Sequence, residues 1–285
     1  GYFGNHTFDI KGDIIKINLF DLWKSGGLEI ENPQITLDVD NAFGFPVRSK
    51  VNQLTVKTLG DKLFNVESEY INKGIDFNYP TINEVGATKN TVFHFDATNS
   101  NVGELFKDKV VQVIYDFDAL ANPDGDVGTK NFYTAASFFS VKVNVELPMK
   151  VKANQFTIAD TIDFDLDDYA TVKEGTIKIK TTNRFPMDMV VKMDFLDFNG
   201  NVLTSLRPDE WISVGSAALS GEKTTTPKTE EHVLTFDQAR FNLLQKSRKI
   251  LVTGSFDTNL QSAKPIWLYS EYGLDLTIAA IVKID

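Results

Sequence analysis

The sequence predicts an all-β protein built from two tandem antiparallel β-sandwiches that are related by internal duplication. Two observations carry this prediction. Apolar and polar residues alternate along many short segments, and five segments of the first half recur in the same order in the second half. Alternation with a period of two is typical of strands that bury one face. The length of 285 residues favours two domains, because one core serves roughly 150 residues.

The strands are predicted from this alternation, and helix is expected to be a minor component. Only residues 101–106 and 237–245 show helical spacing. The segment Asp197-Phe198-Asn199-Gly200 separates two apolar runs, and Asn-Gly readily supplies the two positive φ angles of a type I′ turn, so we expect a β-hairpin there. Strands are predicted at 15–19, 35–39, 54–56, 92–95, 110–114, 141–145, 177–181, 189–195, 249–252 and 274–278.

The internal repeat is the most informative feature of the chain. Both copies of its second block end in Asn, at Asn41 and Asn183, and continue with Phe-Pro. We expect Asn there because it tolerates the left-handed conformation that ends a strand. In the third block Phe95 aligns with Phe236. The matching blocks are 12–19 with 159–166, 35–47 with 177–187, 92–101 with 233–242, 110–118 with 250–257 and 137–145 with 270–278.

The repeat sets the expected domain boundaries. We assign 1–145 to a first β-sandwich domain with an N-terminal extension, 146–152 to a short linker and 153–285 to a second β-sandwich domain. Pro148 interrupts the strand pattern, because proline cannot donate to a ladder. Two segments differ between the copies: 58–80 is mixed, and 207–228 is rich in Ser, Gly, Thr and Pro and indicates a long surface loop. Copy-specific loops are where copy-specific function is expected.

Composition excludes several function classes. The net charge of -10 argues against nucleic-acid binding, which depends on clustered Lys and Arg. The chain has no cysteine and three histidines, and it lacks a nucleophile elbow and a phosphate-binding loop, so we expect no enzyme activity, no cofactor and no metal site. No transmembrane segment is expected, because no apolar run approaches roughly 18 residues. The chain opens at Gly1 without an initiator Met, so a signal or lipid anchor would lie upstream.

Two acidic clusters and one histidine are candidate sites in the sequence. Carboxylates at 160, 163, 165, 167 and 168 are interpreted as the solvated face of a strand, and those at 116, 118, 124 and 126 as an Asx-rich turn. A calcium site is the alternative for each cluster, but no twelve-residue loop with a closing Glu is present. His94 alternates with Phe93 and Phe95, so we expect it to project from a strand opposite two core rings.

Asn32-Pro33 and the strand that follows them show a resemblance to a known family. Residues 31–47 resemble the core of the LEA14-like, or WHy, domain, and residues 175–187 resemble the same pattern without Asn-Pro. The resemblance implies a fibronectin-III-like, that is immunoglobulin-like, β-sandwich without catalytic activity. Residues 146–166 and 179–203 are also similar to a domain of Bacteroidetes cell-envelope lipoproteins of unassigned function.

These observations lead to a first functional hypothesis and an alternative. The first is a non-enzymatic structural or interaction module of an exported bacterial cell-envelope assembly, associated with the outer membrane, at the cell surface or in the periplasm, with protein partners. Trp211 with Asp209, Glu210 and Ser213 is the interface candidate, since an aromatic anchor with a polar rim is typical of interfaces. A lid over its own sandwich is the other interpretation of Trp211.

The alternative function is carbohydrate or ligand binding through the copy-specific loops near Trp211. A modification site is also predicted. Asp160-Thr161-Ile162 fits the short Asp-Thr-apolar pattern that Bacteroidetes use for O-glycosylation, which makes Thr161 a candidate, although an ordinary threonine at a strand edge explains the same residues.

Overall fold

The computed structural model describes residues 4–126, 128, 130–164, 172–207, 211–258 and 264–284. The chain divides into two compact units: the first contains Gly1–Phe20 and Ile30–Pro148, and the second contains Asp21–Glu29 and Met149–Asp285. Among the helices described, none is long and apolar enough to cross a bilayer.

The first unit is a sandwich of two antiparallel sheets. One sheet has the order β1-β8-β4-β5, with β6 also paired to β4, and the other has the order β7-β3-β9. Their inner faces meet in one core, in which Leu37, Phe95 and Phe117 are almost fully buried. Its elements are β1 (His6–Lys16), β3 (Gln34–Asn41), β4 (Val47–Thr58), β5 (Leu63–Asn65), α1 (Glu69–Lys73), β6 (Asp76–Phe77), β7 (Lys89–Phe95), α2 (Val102–Leu105), β8 (Val110–Ala121) and β9 (Phe139–Glu146), with single 3₁₀ turns at Ile82–Glu84 and Phe106–Asp108.

The second unit repeats this arrangement. One sheet has the order β13-β12-β18-β10-β19, with β14 paired to β12 and β2 paired to β10, and the other has the order β17-β11-β20. Ile179, Met189 and Met193 fill the core between them. Its elements are β2 (Trp23–Ile30), β10 (Lys150–Asp163), β11 (Val172–Asn183), β12 (Asp188–Leu196), β13 (Val202–Ser205), β14 (Ile212–Val214), β15 (Ala218–Ser220), β16 (Lys223–Thr226), β17 (Lys228–Asp237), α3 (Gln238–Lys246), β18 (Lys249–Asp257), β19 (Ile266–Trp267) and β20 (Leu274–Ile284).

The predicted fold class is confirmed: the protein is all-β, and both units share the strand order of their two sheets. β1-β8-β4 corresponds to β10-β18-β12, and β7-β3-β9 corresponds to β17-β11-β20. In an immunoglobulin sandwich the first strand lies beside the second and the last lies beside the strand before it. In this protein the first and the last strand of the sandwich exchange sheets. In the first unit the first strand, β1, pairs with β8, and the last strand, β9, pairs with β3.

The segment 21–29 corrects the boundaries expected from sequence. It was assigned to the first domain, but β2 pairs with β10 and belongs to the second unit. Alternation cannot show which sheet a strand joins, and β2 has no counterpart in the repeat. The strand pattern breaks between Glu146 and Lys150, so β10 begins inside the segment that was expected to be the linker.

The repeat alignment needs two changes of register. Ile35 pairs with Phe95 and Ile177 pairs with Leu234, so the counterpart of Phe95 is Leu234 and not Phe236. The offset changes because the segment that joins β11 to β17 is shorter than the segment that joins β3 to β7. The Phe-Pro blocks are likewise shifted, as the contacts of the two repeated asparagines show.

The repeated asparagines act through their side chains. Neither Asn41 nor Asn183 has a positive φ angle, so the expected left-handed conformation is wrong. Both are fully buried. Asn41 Oδ1 accepts from the amide of Phe43 (2.9 Å), and Asn183 Oδ1 accepts from the amide of Phe185 (2.8 Å). Phe185 is therefore the counterpart of Phe43, and each Asn side chain supplies hydrogen-bond partners to backbone groups near the strand end.

The predicted hairpin is present, but its turn type differs. β12 pairs with β13 around residues 197–201, yet only Gly200 has a positive φ (85°), so the turn is not type I′. The Asp197 carboxylate accepts the amides of Asn199 and Asn201 (both 2.8 Å), and hydrogen bonds from Asn201 lower the pKa of Asp197. Hydrogen bonds to the Asp197 side chain therefore hold this turn, which has only one residue with a positive φ angle.

The segment 207–228 is not the plain surface loop expected from its composition. It contains the three short strands β14, β15 and β16. β14 pairs with β12, and β15 and β16 form a separate two-stranded hairpin. The pairing of β14 with β12 holds this strand, and with it Trp211, at the second unit's larger sheet.

Candidate binding site beside Trp211

Two of the four interface candidates lie in the described part of the chain. Trp211 directly precedes β14, and Ser213 is an exposed residue of that strand. Asp209 and Glu210 lie outside the described residues. Trp211 is 42% exposed, which leaves much of its ring open to a ligand.

Trp211 flanks a groove of about 710 Å³ on the outer face of the second unit's larger sheet. That volume lies within the range of small-molecule sites. The side chains that border it are mostly polar and short, and they include Thr157, Asp188, Ser213, Ser255 and Asp257.

The floor of the groove is a row of short side chains that crosses four strands. Val190 on β12 is paired with Ser213 on β14 and with Ser255 on β18, and Ser255 is paired with Thr157 on β10. Directly paired residues point to the same face of a sheet. Thr157 donates from its hydroxyl to Ser255 Oγ (3.0 Å). The row therefore presents three hydroxyl groups around one valine.

Two carboxylates lie one row further along the same face. Asp188 on β12 is paired with Asp257 on β18, and both border the groove. Asp188 Oδ1 accepts from the amide of Ser216 (2.8 Å), which orients that carboxylate. Carboxylates accept hydrogen bonds only, whereas hydroxyls both donate and accept, so the groove offers both kinds of partner to a polar ligand.

The wall opposite Trp211 is formed where β2 approaches β10. Gly26 has φ +79°, and a Cβ atom at this position would lie 2.0 Å from the carbonyl oxygen of Gln155. Only glycine permits so close an approach. The Trp23 indole N–H donates to the Gly26 carbonyl (3.1 Å) and holds this turn. The segment that the sequence placed in the first domain thus completes the groove of the second unit.

In the first unit a long side chain occupies the position that corresponds to Val190. Arg48 is paired with Asp76 on β6 and with Leu120 on β8, so it occupies the position that Val190 holds in the second unit. Its guanidinium binds Asp76 (Nε–Oδ1 2.6 Å) and Asp124 (Nη2–Oδ2 2.9 Å). Hydrogen bonds to these two carboxylates raise the pKa of Arg48. A long ion-paired side chain in one copy is replaced by short side chains in the other.

The sequence pointed to Trp211 and Ser213 but missed the rest of the groove. Thr157, Asp188 and Ser255 come from three separate strands, and no motif links them. The signal that could have found them is the comparison of the two copies, position by position. That comparison needed the register of β4 and β12, which the Phe-Pro alignment placed incorrectly.

The acidic turn near residue 124 is held by ion pairs. Asp124 binds Arg48, and Asp118 lies 3.6 Å from Lys50 Nζ. In the other cluster Asp160 and Asp163 are exposed on β10, whereas Asp165, Asp167 and Asp168 lie outside the described residues. No group of three His, Asp or Glu residues in the described ranges could hold a metal ion.

Thr161 and His94 occupy strand positions on outer faces. Thr161 is exposed on β10, and its modification stays a prediction. His94 Nδ1 lies 2.8 Å from the Thr36 hydroxyl, which donates to Glu146 Oε1 (2.9 Å). These contacts link the three strands of the smaller sheet, while the adjacent Phe95 is buried on the other face.

Comparisons with known proteins show a likeness to solved structures only. No protein-family model matches the chain, and no curated protein sequence matches it. Among solved structures the chain is similar to a crystal structure of a "putative secreted protein" from Parabacteroides distasonis, with 14% identity, coverage of 96% of this chain and 81% of that chain, and a TM-score of 0.42.

Proposed function

We propose that the protein is a non-enzymatic binding module of the bacterial cell envelope, and that the groove beside Trp211 binds a carbohydrate. The observation that carries the proposal is the difference between the two copies. Where Arg48 and its ion pairs fill the row in the first unit, Val190 and three hydroxyl side chains leave a groove below an exposed Trp211 in the second.

The chemistry of the groove fits a sugar. The C–H groups on one face of a pyranose ring pack against an aromatic ring, and Trp211 provides such a ring. Sugar hydroxyls both donate and accept, so they can donate to Asp188 and Asp257 and exchange hydrogen bonds with Ser213 and Ser255. In a binding site, a small number of polar groups that converge on one volume fixes the orientation of the ligand.

The non-enzymatic and envelope parts of the proposal rest on sequence resemblance. Residues 31–47 resemble the WHy domain, which is without catalytic activity, and other segments are similar to Bacteroidetes envelope lipoproteins. On this basis we propose an exported protein, associated with the outer membrane. Hydrolysis of a bound glycan by the protein would contradict the non-enzymatic part.

A glycan array tests the carbohydrate proposal. We expect the intact chain to bind a subset of glycans and Trp211→Ala to lose at least about 10-fold in affinity, because an anchoring aromatic contributes roughly 1.4 kcal/mol or more. Phe198→Ala is the matched control, since Phe198 is an aromatic residue of the same unit that is 89% exposed in the hairpin turn. It should bind like the wild type. Equal losses in both variants would contradict the proposal.

A protein partner is the second candidate ligand for the groove. Exposed tryptophan is enriched among the residues that dominate protein interfaces, and Trp211 is exposed at the end of the groove. Affinity purification from native envelopes distinguishes this case. It predicts that an envelope protein co-purifies with the wild type and with Phe198→Ala but not with Trp211→Ala, while the glycan array stays negative.

A further inference from the structure

The strand β20 ends its sheet with one side unpaired. It pairs with β11 from Leu274 opposite Asn183 to Ile284 opposite Val172, and no other strand among the described residues pairs with it. Every second backbone N–H and C=O group of such an edge faces away from its own sheet. An edge of this kind is a template for another strand unless charges, prolines or bulges oppose the pairing.

β20 carries no such protection along its centre. Residues 276–282 are uncharged, and Ile278 and Ile281 are 40% and 56% exposed. The corresponding edge of the first unit is different. Phe139 on β9 is paired with Asn41 as Leu274 is paired with Asn183, so the two strands can be aligned residue by residue. In that alignment Lys142, Asn144 and Glu146 on β9 correspond to Thr277, Ala279 and Ile281 on β20.

We propose that two copies of this chain associate through β20, in an antiparallel pair centred on Ala279. Three strands from each copy then form one continuous sheet across a two-fold axis. A strand pairs with itself in this way only if its sequence is self-complementary, since residue i of one copy contacts residue j of the other and the reverse. The exposed residues Thr277 and Ile281 lie opposite each other, as do Ile278 and Ala280.

The charges at the two ends of β20 select this register. Pairing centred on Ala279 places Asp275 opposite the partner's Lys283. In a single copy Asp275 binds Arg184 (Nη2–Oδ1 3.1 Å), and Lys283 Nζ lies 3.2 Å from Glu174 Oε1. The pairing therefore creates an alternating row of Arg184, Asp275, the partner's Lys283 and the partner's Glu174, and the two-fold axis repeats it. A shift by two residues in either direction separates these charges.

The oligomeric state tests the proposal on the full chain. We expect the wild type to sediment with about twice the monomer mass of 31.9 kDa, and Ala279→Lys to sediment as a monomer with an unchanged melting temperature. Two lysines then face each other on the two-fold axis, and like charges directly opposite are unfavourable. Asn144→Lys places the same side chain at the corresponding position of β9, and this control should remain dimeric.

Cross-linking fixes the register. The chain has no cysteine, so Ala279→Cys introduces a single thiol, which should form a disulfide-linked dimer on mild oxidation. Asn144→Cys should not. A monomeric wild type at concentrations of about 100 µM, where a weak dimer with Kd below that value would form, overturns the proposal. So does a dimer that Ala279→Lys leaves intact, or one in which Ala279→Cys fails to cross-link.

Discussion

Replacing Asn183 with Ala is expected to destabilise the second unit by about 3 kcal/mol, because the change removes the hydrogen-bond partners of one buried and two partly buried backbone groups, and leaving such a group unpaired costs roughly 1–3 kcal/mol. Asn183 Nδ2 donates to the carbonyls of Met187 (3.0 Å) and Gly215 (2.9 Å), and its Oδ1 accepts from Phe185. Urea unfolding followed by circular dichroism measures the loss. Hydrogen exchange then assigns it to the second unit.

The control for Asn183 is an exposed asparagine of the same unit. Asn199→Ala in the hairpin turn should change stability by less than about 0.5 kcal/mol, since surface substitutions away from special features are nearly neutral. Asn41→Ala should destabilise the first unit in the same manner. A loss below about 1 kcal/mol in Asn183→Ala would show that water or a rearranged loop satisfies these groups.

Replacing Gly26 with Ala is expected to detach β2 from the second unit. A Cβ atom at Gly26 would lie 2.0 Å from the carbonyl oxygen of Gln155, and the φ of +79° is unfavourable for any other residue. Left-handed strain alone costs about 1–3 kcal/mol, and the clash with backbone cannot be relieved by a side-chain rotation. We expect faster hydrogen exchange in β2 and β10 and weaker binding in the groove, which Gly26 borders.

Gly27 supplies the matched control for this prediction. It is the next residue along the chain, nothing lies within 4 Å of a Cβ atom placed on it, and its φ is not positive. Gly27→Ala should therefore keep the exchange rates and the stability of the wild type. If Gly26→Ala also behaves like the wild type, the close approach of β2 to β10 is not required for the second unit.

The fold could be predicted from sequence because strands of a sandwich leave a local signature. Alternation placed strands such as β3, β11 and β12, and the repeat predicted two copies of one sandwich. The incorrect predictions concern features that are determined by pairing between strands far apart in the sequence. Which sheet β2 joins is set by its approach to β10, and the counterpart of Phe95 is set by the register of β7, and neither is encoded in a short segment.

The groove was only partly predictable for the same reason. Trp211 stands out in the sequence because it is a tryptophan within the copy-specific segment 207–228, and Ser213 follows it on β14. Ser255 and Asp188 are ordinary polar residues of two alternating strands. They form a site only because β12 and β18 pair side by side. The importance of a short side chain at Val190 is evident only once Arg48 is known to occupy the same position in the first unit.

Val190→Arg tests the proposed binding site most directly, because it places in the groove the residue type that the first unit has at the same position, Arg48. Isothermal titration calorimetry with the best array glycan should show that Val190→Arg loses at least about 10-fold in affinity, because the guanidinium occupies the floor and binds the neighbouring carboxylates. Val202→Arg, at an exposed position of β13 in the same sheet, is the control and should bind like the wild type. Wild-type affinity in Val190→Arg would contradict the claim that this row of the second unit is a binding site.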